Sequence, residues 1–218
     1  MMSFTPMFFA QREALKPLHV QYEYLSNVVS VCSDVYEPAD LEVRAEVYDF
    51  DSRKVWEKTS KASVEGEACV DLFTVPFGTF GFAQPHFLKL RLLKDGREID
   101  SNFYWRSCDA YRGMKTMTGP CTAGFESLAS LPETRLEVRR LESAAGRTRL
   151  SVRNAGERIA FFVKVAPVGA DSVGVRYSDN WFSLLPGESR DVTVSHPPRA
   201  YVWSAAAFLR ASVGERGN

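Results

Sequence analysis

Apolar and polar residues alternate along most of this chain, and the alternation sets the expected elements. In LEVRAEVYDF (41–50), Leu41, Val43, Ala45 and Val47 take every second position with charged residues between them. That is the period of a half-buried strand. The same reading gives strands over 18–24, 28–33, 54–64, 68–75, 86–93 and 97–107. Lys94-Asp95-Gly96-Arg97 joins the last two, and Asp-Gly makes a tight hairpin because both central residues tolerate positive φ. A second set follows over 134–143, 147–154, 158–167, 174–178, 181–185, 188–195 and 199–210. Each set of short strands, with turn residues between them, is enough for one immunoglobulin-like sandwich.

Helical periodicity is rare. The N-terminal MMSFTPMFFAQREALK reads as a short helix ending at Lys16-Pro17, with Phe8, Phe9 and Leu15 available for one face. The expected fold is therefore all-β: two immunoglobulin-like antiparallel β-sandwiches in tandem, with a short N-terminal helical stub. The expected boundaries are a stub at 1–17, a first sandwich at 18–108, a connector at 109–131 and a second sandwich at 132–218. Gly113, Gly119, Pro120 and Gly124 mark the connector.

Size and charge narrow the functions. The 218 residues suit two modules of roughly 100 residues and fall short of the roughly 250 of a (β/α)8 barrel. Lys plus Arg equals Asp plus Glu at 27 each, so the net charge is zero and no nucleic-acid partner is expected. No stretch approaches the roughly 20 apolar residues of a membrane span, so no membrane partner is expected either. The N-terminus lacks a basic leader and a long apolar core, so it is not read as a secretory signal, and the compartment stays open.

The candidate chemistry is thin. Cys32 and Cys69 sit in alternating runs and are expected as buried free thiols, while Cys108 and Cys121 flank the connector and their pairing stays open. His19, His86 and His196 are dispersed, so no metal, cofactor or catalytic triad is assigned. Trp105, Trp203 and Phe161 are expected to fill sandwich cores. Trp56 stands in an otherwise polar strand and is the best candidate for an exposed ring that could contact a carbohydrate, although packing against the neighbouring module is the favoured reading there. The most distinctive run is YSDNWFSLLPGES (177–189), where Asp179, Asn180 and Trp181 could contact a carbohydrate, the ring as a stacking platform. The structural reading is favoured: Asx turn at 178–180, strand, then a Pro186-Gly187 turn, which accounts for every residue.

KPLHVQYEYLSNVVSVCS, LKLRLLKDGREIDSNFYWRS and IAFFVKVAPVGADSVGVRYSDNWFSLLPGES together resemble the C-terminal part of glycoside hydrolase family 2. The branch they resemble holds the β-mannosidases, exo-β-glucosaminidases (exo-chitosanases) and endo-β-mannosidases. The order of NFYW and YSDNWFSLLPGES is the specific part, and FFAQREALKPLHVQY resembles the crossing from the catalytic barrel's last helix into the next sandwich. The resemblance implies retaining hydrolysis of β-glycosides by two glutamates on a barrel, held roughly 5 Å apart. Neither catalytic motif matches this chain, so no catalytic residue is carried over.

The resemblance implies a non-catalytic accessory region that packs on and stabilises a catalytic barrel, in cis in a longer chain or in trans. The alternatives are an independent carbohydrate-binding module, which needs a row of exposed aromatics, and a protein-interaction sandwich, which needs an exposed edge or apolar patch. Parent enzymes of this kind are often secreted, periplasmic or vesicular.

Overall fold

The computed structural model describes residues 5–107, 125–144, 146–168, 173–197 and 201–207. A helix, α1 (Pro6–Ala14), opens it and stops before Lys16-Pro17, as Pro17 dictates. Seven strands follow: β1 (Leu18–Tyr22), β2 (Val28–Ser33), β3 (Ala39–Tyr48), β4 (Lys54–Val64), β5 (Ala68–Thr74), β6 (His86–Lys94) and β7 (Arg97–Arg106). They form an antiparallel sheet in the order β1-β2-β5 and another in the order β4-β3-β6-β7. The predicted hairpin at 94–97 is present, with Asp95 at φ 52° and Gly96 at φ 75°.

Period two decides what is buried. Val43, Val47, Leu88, Leu90 and Leu92 are at most 1% exposed and meet Val20, Val29 and Val31 of the facing sheet. Full burial of each such side chain contributes roughly 1.5–3 kcal/mol. Trp105 lies outside this core, against expectation. On β7, Asp100, Asn102 and Tyr104 share the inward parity, so Trp105 and Phe103 face the other way and are half-buried there. An apolar ring does not set the parity; the inward face of β7 is polar because its side chains hydrogen-bond the backbone of β1.

The expectation of free thiols is also overturned: Cys32 and Cys69 form a disulfide. The register places them directly opposite on β2 and β5, with Cα atoms 4.1 Å apart. Two cysteines far apart in sequence became neighbours only through strand pairing. Cys108 and Cys121 lie outside the described residues, as do Gly113, Gly119, Pro120 and Gly124. A short 3-10 turn (Glu126–Ser130) occupies the described end of the predicted connector.

Seven more strands follow: β8 (Leu136–Ala144), β9 (Arg147–Asn154), β10 (Ala160–Pro167), β11 (Arg176–Tyr177), β12 (Phe182–Leu184), β13 (Ser189–Ser195) and β14 (Trp203–Ala207). Their sheets run β12-β10-β14 and β11-β13-β9-β8, again antiparallel. Leu150, Val152, Val163, Val165, Val192 and Val194 are at most 1% exposed, and Trp203 joins them in the core as expected. Phe161 is buried but outside that cluster. A bulge between Ala160 and Val163, with Phe162 at φ 56°, shifts the parity and turns Phe161 off the core face. Compact units comprise 13–130 on one side and 1–12 with 131–218 on the other.

Candidate functional site

The run 177–189 uses its polar groups to complete the backbone around it. β10 and β12 pair at Val163↔Phe182, so two register positions further on Val165 would stand against residue 180. There the side chain of Asn180 replaces the strand. Its Oδ1 accepts from the Val165 N–H at 2.8 Å and its Nδ2 donates to the Val165 carbonyl at 3.0 Å. Oδ1 also accepts from the Trp181 N–H at 3.0 Å, which holds Trp181 at φ 64°. Asn180 is 5% exposed, so these bonds satisfy groups that water does not reach. Ser183 Oγ accepts from the Phe162 N–H at 3.1 Å, filling the gap the bulge leaves.

Asp179 has a different task. Its Oδ1 accepts from the Asn180 N–H at 2.8 Å, and its two oxygens stand 3.6 Å from Arg12 of α1 and 3.6 Å from Arg190 of β13. Arg12 also lies over the ring of Phe9, the one buried residue of the helix. The acid in this run thus anchors the helix that precedes β1. Trp181 is half-buried beside Phe162, ring centroids 5.8 Å apart, with Lys164 Nζ 5.4 Å from its ring. Beyond it, Pro186-Gly187 makes the predicted turn: Gly187 has φ 80° and the Glu188 N–H donates to the Leu185 carbonyl at 3.1 Å.

Trp56 belongs to the other unit, so the four candidate residues do not form one group. Its ring is half-buried and packs on Phe73 and Phe80, at 6.3 and 6.4 Å between centroids, beside the first core. The expectation of an exposed ring there is corrected. Trp56 stands directly opposite Val47 and so shares the inward face of the strand, where Phe73 and Phe80 cover it. An open trough of 550 Å³ on the outer side of β3, β4 and β6 is lined by Asp40, Glu42, Arg44, Lys61 and Asp95 and has no aromatic wall.

Sequence reasoning missed a buried polar cluster on the inward face of β7. Asp100 is 2% exposed, and its Oδ2 accepts from the Val20 N–H at 3.0 Å. Asn102 Nδ2 donates to the Val20 carbonyl at 2.8 Å, and the Tyr22 N–H donates to Tyr104 Oη at 3.2 Å. Three successive inward side chains therefore hydrogen-bond the backbone of β1, the edge of the opposite sheet. Lys16 Nζ pairs with Asp100 at 2.8 Å, and His19 Nδ1 lies 3.0 Å from it, off the line of a good hydrogen bond. Burial would raise the Asp100 pKa, but the contacts with His19, Lys16 and Val20 outweigh it and hold the carboxyl at about 2. Burial and the charge of Asp100 push the Tyr104 hydroxyl to about 12. A carboxylate held that low stays ionised near neutral pH and is no proton donor there. The signal that could have found it is D-x-N-x-Y at one strand parity.

His86 is 4% exposed and stacks on Phe82, with ring centroids 4.2 Å apart. Burial, aided by Arg106, lowers its pKa to about 4, so it is neutral. His196 lies in the other unit, 2.9 Å from Thr148 Oγ1. Among the described residues no three His, Cys, Asp or Glu side chains are grouped to hold a metal ion. No described helix is long and apolar enough to cross a membrane.

Comparison with known proteins agrees with this scaffold. Residues 27–107 match the model of the mannosidase Ig/CBM-like domain, and residues 115–207 match that of the exo-β-D-glucosaminidase Ig-fold domain. The chain is 28% identical over 210 residues to an exo-β-D-glucosaminidase of Streptomyces avermitilis, covering 87% of itself and 23% of that protein. The crystal structure of the Amycolatopsis orientalis exo-chitosanase superposes with a TM-score of 0.71 at 24% identity, over 91% of this chain and 26% of that one. A β-D-mannosidase from Dictyoglomus thermophilum gives 0.65 at 14% identity, over 93% and 23%. The chain thus spans about a quarter of the length of these relatives.

Proposed function

Given that this chain consists of immunoglobulin-like domains of glycoside hydrolase family 2, we propose that it is the non-catalytic accessory region of an exo-β-glucosaminidase-like or β-mannosidase-like glycosidase. Its partner is the catalytic barrel, joined in cis in a longer chain, and its task is to pack on that barrel and stabilise it. The observation that carries this reading is the match of nearly the whole chain to about a quarter of each relative. The assignment of 1–17 as the stub entering from the barrel, 18–108 and 132–218 as the two sandwich domains and 109–131 as their connector belongs to the same proposal. So does an oxidising compartment, supported by the Cys32–Cys69 disulfide, because such bonds persist where thiols are not kept reduced.

In this reading Asp179, Asn180 and Trp181 serve the scaffold. Asp179 anchors α1, the segment through which a barrel would enter. The test mixes the chain with the separately expressed barrel portion of the Streptomyces relative and follows thermal unfolding. The expected result is a raised melting temperature for the barrel portion and no hydrolysis of aryl β-glucosaminides or β-mannosides by the chain alone. Millimolar or tighter binding of chitosan or manno-oligosaccharides by the chain, with no effect on the barrel portion, would replace this reading with the carbohydrate-binding one.

A further inference from the structure

The net charge of zero hides an uneven split. Residues 1–130 carry fourteen Lys and Arg against eighteen Asp and Glu, whereas residues 131–218 carry thirteen against nine. Much of the surplus lies on one surface. Residues directly opposed across an antiparallel pair share a face. In the sheet β11-β13-β9-β8, Arg176 stands opposite Ser195, Ser195 opposite Arg147, Ser151 between Arg139 and Asp191, and Arg153 between Ser189 and Glu137, so five arginines share the face with the carboxylates of Glu137, Glu142 and Asp191. Arg139, Arg147, Arg153 and Arg176 are exposed. Arg149, on the same face, takes up Asp191 at 2.7 Å and Glu142 at 3.3 Å. Among the described residues no carboxylate lies within 4.0 Å of the other four guanidinium groups.

We propose that this face binds a linear acidic polysaccharide, its carboxylates held by Arg139, Arg147, Arg153 and Arg176. A guanidinium presents a planar fork that matches a carboxylate through two hydrogen bonds. Between the arginines, Ser151, Ser189, Thr193 and Ser195 offer hydroxyls to a sugar chain. The outward positions of β9, β11 and β13 carry no aromatic or large aliphatic side chain. A protein partner would want such anchors at the centre of its interface. A single-stranded nucleic acid would want rings on which bases stack, and a duplex would want a helix or ribbon narrow enough to enter a groove. A flat, hydroxylated, cationic sheet offers neither. The inference is independent of the accessory role proposed above, since an arginine face repels a cationic glucosamine polymer.

The test is calorimetric titration of the whole chain with polygalacturonate, with galactomannan and duplex DNA run in parallel. Binding of polygalacturonate is expected, weakening more than roughly tenfold between about 50 and about 200 mM salt as bound counterions compete. Replacing all four arginines with serine should reduce the affinity at least roughly tenfold. A four-lysine version keeps the charge and loses the fork, so it should bind more weakly than the parent and more tightly than the serine variant, which separates lost charge from lost fold. The proposal is overturned if the serine variant binds like the parent or the lysine variant fails to bind. It is also overturned if polygalacturonate does not bind, or if galactomannan or DNA binds as tightly.

Discussion

The two sandwiches solve one problem with different chemistry. Each has a place where the backbone ladder stops and buried N–H and C=O groups need partners. The first closes its β1 edge with an ionised side chain, Asp100, flanked by Asn102 and Tyr104, and adds a disulfide across β2 and β5. The second closes the gap at Val165 with a neutral amide, Asn180, and uses a second fully buried amide, Asn154, whose Nδ2 donates to the carbonyls of Arg158 and Leu184. The difference teaches where each module is vulnerable. Charge and sulfur make the first responsive to pH and reductant, while amides leave the second dependent on geometry alone.

The sharpest break in this comparison is Asp100→Ala. It leaves the buried Val20 N–H without its charged acceptor and removes one of the two carboxylates that pair with Lys16, which keeps Glu13; the expected loss is roughly 3 kcal/mol. Chemical denaturation followed by a probe in the first sandwich should show that loss, with the second sandwich's transition unmoved. Of similar size is the disulfide. Closing a 37-residue separation is worth roughly 4 kcal/mol in the chain-entropy account, so Cys32→Ser with Cys69→Ser should lower the first transition by that order. Equal shifts in both transitions would show that the modules do not unfold separately.

Acid should sharpen the contrast. The folded pKa of His86, about 4, lies below its ordinary 6.5, so between those values the unfolded chain takes up a proton that the folded one refuses. The stability is fully present above 6.5 and falls by roughly 3 kcal/mol as the pH drops to about 4. Asp100 contributes stability that is present above its ordinary 3.8 and lost as the pH falls from there towards about 2. Melts of the first sandwich across this range should slope in the parent and flatten between pH 6.5 and 4 in His86→Leu.

In the second sandwich, Asn180→Ala leaves the buried N–H and C=O of Val165 unpaired and should cost roughly 2–3 kcal/mol at any pH. Asp179→Ala should cost only about 1 kcal/mol, because its ion pairs are long and partly solvated, yet it should raise proteolysis of α1. Reversal of that order would make Asp179 the structural centre of the run and Asn180 a bystander.

Local patterning by itself determined the described strands, through period-two alternation, and the α1 stop at Lys16-Pro17 and the Asp95-Gly96 and Pro186-Gly187 turns, through proline and turn residues, because local sterics and burial on one face act within a few residues. It also favoured scaffold over chemistry for 177–189. Tertiary structure decided what depends on distant neighbours. Only register brought Cys32 to Cys69, and only the facing sheet gave Asp100, Asn102 and Tyr104 a backbone to bind. That need turned Trp105 off the core, as the bulge at 160–163 did for Phe161. A polar residue inside a strand looks the same in sequence whether it meets water or an unpaired edge, and the partner across the sandwich settles which.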